Sequence, residues 1–205
     1  MSVAVALTDP RGFVALAVDR QISDVTGTSA LGYLETQAKA WLVQDDEIRR
    51  VVVAMSGGSR TAQLVRYLYE WPDFPPVLTP EWGVRLGVDL SRFLSCHGVL
   101  DEHGEMEGCR MIVAMGDRIL VVDEDFHVGP PERSTYDADG NRRRFDAIGC
   151  GSTAANAAVM ATVTGLFAGT PRHVDAEEAV THAAVVAGQL VDGVDVGTGP
   201  IVLRT

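Results

Sequence analysis

The run Val51-Val52-Val53-Ala54 is apolar at four successive positions. Successive side chains of a strand point to opposite faces, so this strand has no face to offer water and must be covered on both sides. Residues 3–7 and 13–18 are also Val- and Ala-rich, and Asp9-Pro10-Arg11-Gly12 between them is a turn signal, so the pair reads as a β-hairpin. Residues 40–43 and 48–55 flank Gln44-Asp45-Asp46-Glu47 as a second hairpin. Two helices follow. The first begins near Ser59, carries Leu64, Val65, Leu68 and Tyr69 on an apolar stripe, and is closed by Pro72, Pro75 and Pro76. The second opens at Thr79-Pro80-Glu81, an N-cap with proline at the first helical position, and presents Trp82, Leu86, Leu90, Phe93 and Leu94.

Residues 97–107 form a polar loop, and 111–115 with 119–122 make a third hairpin at Gly116-Asp117. Residues 129–144 read as one long polar loop, before a short strand over 145–148 that runs into Gly149-Cys150-Gly151-Ser152. A helix of small residues is predicted over 154–167. Another starts at Asp175, with Glu178 completing a capping box, and runs to about Val191. Residues 201–203 supply a closing strand. Strand hairpins separated by helix pairs predict an α+β fold of two stacked sheets with a helical layer on each outer face. With no repeat and no low-complexity linker, residues 1–205 are expected to form a single domain.

The net charge of −11 argues against a nucleic-acid surface, which needs a basic stripe. The one basic run, Arg142-Arg143-Arg144, follows Asp137, Asp139 and Gly140 and reads as a solvated turn. No stretch approaches the ~20 apolar residues of a membrane span, and the N-terminus lacks the basic region of a signal peptide. Cys96, Cys109 and Cys150 form no CxxC pair, so free thiols in a reducing cytoplasm are expected. Cys96-His97 with His103 lacks a second ligand pair, so no metal is expected, and no other cofactor is implied.

Lys39 is the one lysine of the chain, against sixteen arginines. A guanidinium stays charged in any protein environment, whereas an ammonium can be desolvated until it shares its proton. A lysine kept in so Arg-rich a chain reads as a chemical residue. Arginine bias from base composition would leave the same count.

Five blocks surround this reading: Gly12-Phe13-Val14-Ala15-Leu16-Ala17-Val18-Asp19-Arg20, then Lys39, then Ala54-Met55-Ser56-Gly57-Gly58, then Ala147-Ile148-Gly149-Cys150-Gly151-Ser152, and Asp195-Val196-Gly197-Thr198-Gly199. In order and approximate spacing over nearly the whole chain they resemble the proteasome β-subunit and HslV family of N-terminal-nucleophile hydrolases. The resemblance implies a four-layer αββα sandwich, in agreement with the element order. It also implies chemistry at a mature N-terminus, where a hydroxyl attacks and its own α-amine, titrating near 8, is the general base. Ser2 is then the nucleophile, exposed when Met1 is removed, with no propeptide required. By the same resemblance Lys39 is the buried cation beside it and Asp19 the carboxylate that holds the ammonium. Gly57 is the backbone oxyanion donor, and Asp195 and Thr198 are the partners of the terminal amine. Ser23, Met55 and Gly57 border the substrate, with Met55 at the floor of an apolar specificity pocket.

This chain departs from the family pattern at two of these positions. Serine stands where most members have threonine, and Cys150 stands where the family has serine, with Ser152 as a substitute in a proton relay. The resemblance further implies a homo-oligomeric ring, a hexamer or heptamer that stacks in some members, acting on peptides or unfolded protein. No P-loop occurs here, so any AAA+ unfoldase is a separate chain. Two other readings share the fold: a non-catalytic ring or scaffold protein, and an amidase for small substrates.

Overall fold

A computed structural model describes residues 3–19, 39–45, 49–106, 108–165, 174–191, 194 and 200–205. Ten strands and four helices occur among them. The strands are β1 (Ala4–Asp9), β2 (Phe13–Val18), β3 (Ala40–Asp45), β4 (Arg50–Ser56), β5 (Arg110–Met115), β6 (Arg118–Val122), β7 (Val128–Gly129), β8 (Arg133–Tyr136), β9 (Arg142–Ile148) and β10 (Ile201–Arg204). The helices are α1 (Ser59–Tyr67), α2 (Pro80–Cys96), α3 (Ser152–Val163) and α4 (Ala176–Leu190). One antiparallel sheet has the order β10-β2-β1-β9-β8 and the other β3-β4-β5-β6-β7.

The period-two alternation of the strands sorts three cores. Val3, Val5, Leu7, Phe145 and Ala147 pack against Ala179, Val180, Ala183 and Ala184 of α4, and against Ala155 and Val159 of α3. On the second sheet, Val51, Val53 and Met55 face Val65 of α1 and Leu86, Leu90 and Leu94 of α2. Between the sheets lie Ala4, Ala6, Val14, Leu16, Val18, Ala40, Val52, Ala54, Ile112 and Ala114. The expected αββα layering is what the chain forms, and the fully apolar β4 is indeed covered on both faces. Both predicted N-cap residues act as caps: the Thr79 hydroxyl accepts the Trp82 N–H at 3.2 Å, and the Asp175 carboxylate accepts the N–H of Glu177, at 2.8 Å. No helix among the described residues is long and apolar enough to cross a membrane.

Two expectations are corrected. Helix α1 stops at Tyr67, well before Pro72; Leu68 is exposed, and Tyr69 is buried from the segment beyond the helix. The segment expected as one polar loop holds the end of β7, all of β8 and the start of β9. The basic run is therefore strand and not a solvated turn, paired as Tyr136↔Arg142 and Ser134↔Arg144. Polar side chains hid it, because a strand end whose inward residue is an arginine shows no apolar alternation.

That arginine, Arg143, is 1% exposed. It donates to the carbonyls of Thr8 and Val174 and lies 3.7 Å from Asp9 and 3.6 Å from Asp137. The fully buried Asp9 also accepts from the Arg11 guanidinium and from the backbone N–H groups of Arg11 and Ala176. The cluster fastens the β1–β2 turn to the start of α4. Burial works to raise the Asp9 pKa, but these donors outweigh it and bring it to about 2. A depressed carboxylate contributes stability that is present above its unfolded value of 3.8 and lost as pH falls toward 2. Chemical denaturation across that window is expected to show a loss on the order of 2 kcal/mol from this group, and Asp9→Asn to flatten that part of the profile.

Candidate active site

β1 begins, and β2 and β9 end, at one end of the first sheet, with Ala4 paired to both Val18 and Ile148. β3 begins and β4 ends at the matching end of the second sheet, with Ala40 paired to Ala54. Residues far apart in the chain therefore leave their strands together. Asp19 follows the last residue of β2, and its backbone N–H donates to the Val3 carbonyl at 3.1 Å. Its side chain turns back, and Oδ1 accepts the Val3 N–H at 2.9 Å. Lys39 precedes β3 and is held in register by the Met55 N–H, which donates to its carbonyl at 2.8 Å.

Lys39 Nζ lies 2.9 Å from both carboxylate oxygens of Asp19. The Asp19 side chain is fully buried and that of Lys39 is 15% exposed, so the pair is largely withdrawn from water. Burial pushes the Lys39 ammonium below the ordinary lysine range; the charge and hydrogen bonds of Asp19 oppose that shift, as does the Cys150 side chain. An amine poised in this way exchanges a proton more readily than a surface lysine. One carboxylate thus ties the ammonium to the backbone of Val3, the residue after Ser2 in the sequence.

Gly57 sits past the end of β4 with φ +103°, in the left-handed region that suits glycine. A Cβ there would lie 2.4 Å from Cys109 Sγ and 2.5 Å from the Gly108 carbonyl oxygen. Cys109 Sγ in turn accepts the Gly58 N–H at 3.0 Å. The Gly57 N–H has no acceptor among the described residues, and the residue is exposed. This is the disposition of a backbone donor that can meet a developing oxyanion. The segment between β9 and α3 closes the same end. Gly151 packs so tightly that a Cβ would meet Val3 Cβ at 3.1 Å, and the exposed Cys150 lies within electrostatic reach of Lys39. Ser152 begins α3, its N–H bonded to the Gly149 carbonyl at 3.0 Å.

Of the residues singled out in the sequence, Asp19, Lys39, Gly57, Cys150 and Ser152 gather at this end. Met55 is buried to 2% exposure in the layer under α1, beside Val65 and Cys109. Ser2, Ser23, Asp195 and Thr198 lie outside the described residues. Sequence reasoning missed two participants, the Val3 amide and Cys109. Neither carries a composition signal; both become visible from strand register alone, which sets Ser56 opposite Arg110 and so brings Cys109 to Gly57.

No protein-family model matches the sequence, and no curated protein does. Solved structures match along the full length. BPH of Thiobacillus denitrificans shares 18% identity at a TM-score of 0.72, covering 100% of this chain and 97% of that one. A second structure of it, in complex with Epoxomicin, gives 18% and 0.64, covering 98% and 97%. HslV of Trypanosoma brucei shares 20% at 0.61, covering 98% of each chain. The Anbu complex of Pseudomonas aeruginosa, a helical assembly, shares 13% at 0.64, covering 99% and 80%. The chain has the proteasome-like fold of these proteins, which bears out the sequence resemblance at the level of fold.

Gly57→Ala must displace Cys109 or the Gly108 carbonyl and strain φ, so a lowered melting temperature is expected. Asp19→Asn leaves the Lys39 ammonium without its countercharge, and equilibrium unfolding is expected to show about 3 kcal/mol of destabilisation.

Proposed function

We propose that the chain is a serine-type N-terminal-nucleophile peptidase of the proteasome kind. The observation that carries the reading is the buried Lys39–Asp19 pair bonded to the amide of Val3. Loss of Met1 frees the α-amine of Ser2. Ser2 Oγ attacks the scissile carbonyl and its proton passes to that amine. The carbonyl oxygen becomes an oxyanion, met by the Gly57 N–H. Collapse breaks the C–N bond, the departing amine takes the proton, and an ester remains on Ser2. Water then attacks the ester carbonyl, its proton passing to the α-amine of Ser2; the ester C–O bond breaks and the amine returns a proton to Oγ, which restores the hydroxyl.

In this reading the Lys39 charge lowers the proton affinity of the Ser2 hydroxyl, and Asp19 orients the ammonium. Asp195 and Thr198 hold the amine, with Cys150 or Ser152 completing the relay. Ser23 and Met55 border the residue before the scissile bond. The peptidase works as a homo-oligomer, a ring of six or seven copies, on peptides or unfolded chains delivered by a separate AAA+ unfoldase. The BPH structure in complex with Epoxomicin and the helical Anbu assembly, as neighbours of the same fold, support a ligand-binding site and self-association.

Intact mass of the purified, untagged protein, before and after a peptide β-lactone, tests the reading. The expected result is loss of Met1 and one adduct per chain, abolished in Ser2→Ala and slowed at least about tenfold in Lys39→Arg, whose planar fork does not replace a compact ammonium. Retention of Met1 with no adduct would overturn the peptidase and favour a structural protein on this fold.

A further inference from the structure

The opposite end of the sandwich holds a second concavity, which the proposed chemistry does not use. It is a cleft of about 420 Å³ between the sheets, lined by the β1–β2 turn, the β5–β6 turn and the start of β9. Three guanidinium groups, Arg118, Arg142 and Arg144, line it with Asn141. On β9 the side chains alternate: Arg143 turns toward α4 and into the buried cluster with Asp9, while Arg142 and Arg144 stand on the other face, toward the second sheet. Arg118 comes from the facing sheet, 3.4 Å from Asp117.

In a chain of net charge −11 carboxylates are in excess, and Arg11, Arg50, Arg110, Arg133 and Arg204 each pair with one. Arg142 and Arg144 have no ion pair among the described residues. The acids in the cleft wall do not serve them. Asp9 is fully buried and taken by Arg11 and Arg143, and Asp117 by Arg118. Nor are the two arginines on a loose loop. They are paired across β8, and the Arg144 N–H is bound to the Thr8 hydroxyl at 2.8 Å. Unpaired guanidinium forks, held on a rigid strand in a concave site, match the oxygens of a phosphate or carboxylate bidentately.

We propose that this cleft binds a small multivalent oxyanion, with Arg142 and Arg144 as its principal ligands and Arg118 closing it from the other sheet. The site is independent of the peptidase reading. Among the described residues no aromatic side chain lines it, and the ligand is recognised through its charged oxygens.

Calorimetric titration of the full chain with pyrophosphate, and separately with citrate, at constant ionic strength tests this. Saturable binding of one anion per chain is expected. Tighter binding of pyrophosphate assigns a phosphate ligand, and tighter binding of citrate a polycarboxylate. Arg142→Gln and Arg144→Gln should each weaken binding about tenfold, the loss of one charge-assisted contact. Arg142→Lys should weaken it less, and Arg85→Gln on α2 should leave it unchanged. Absence of saturable binding to either anion, or binding that Arg142→Gln and Arg144→Gln leave intact in a protein of unchanged melting temperature, would overturn the proposal.

Discussion

A single carboxylate organises the end of the sandwich where the chemistry is proposed. Asp19 lies just past β2 in the first sheet, and Lys39 just before β3 in the second. Their pairing at 2.9 Å joins the two sheets at the rim. The same carboxylate receives the Val3 amide, so the position of the first strand, of the ammonium and of the sheet-to-sheet contact are one constraint. Removing one partner of so buried a pair is costly because the other charge stays behind without water.

That contact depends on how closely the sheets stack. The interior between them is built largely of small and β-branched side chains: Ala4, Ala6, Ala40, Ala54 and Ala114 among Val14, Val18, Val52 and Ile112. Larger residues are concentrated in the layer under α1 and α2, where Leu86, Leu90, Leu94 and Trp82 fill the space. Facing sheets with alanine at the contact approach closely, and a four-carbon lysine stem then spans the gap at the rim. Packing in the middle of the molecule thereby decides distances at its end.

The two ends of the sandwich handle charge differently. At one, a buried pair is set against a glycine whose N–H has no acceptor among the described residues. At the other, Arg143 and Asp9 are enclosed and their neighbours fasten the turn to α4, so the strands beneath Arg142 and Arg144 are fixed. Both rely on the strand period of two, which sends adjacent residues to opposite faces and separates a structural arginine from its exposed neighbours.

Local chemistry made the hairpins, the caps at Thr79 and Asp175, the doubly covered β4 and the layered α+β order legible in the sequence. Each rests on periodicity or on a turn residue within a few positions, and such signals survive without knowledge of the fold. Lys39 stood out through composition, and Asp19, Gly57 and Cys150 through a resemblance that the shared fold supports. What no local pattern could disclose was the β8–β9 hairpin, where arginines occupy the inward and outward positions alike. The role of Cys109 beneath Gly57, the hold of Asp19 on Val3 and the cleft of Arg118, Arg142 and Arg144 were equally hidden. These depend on register between strands distant in sequence and on the spacing of two sheets, quantities set by long-range packing and by the burial of charge, which only the folded chain brings into existence.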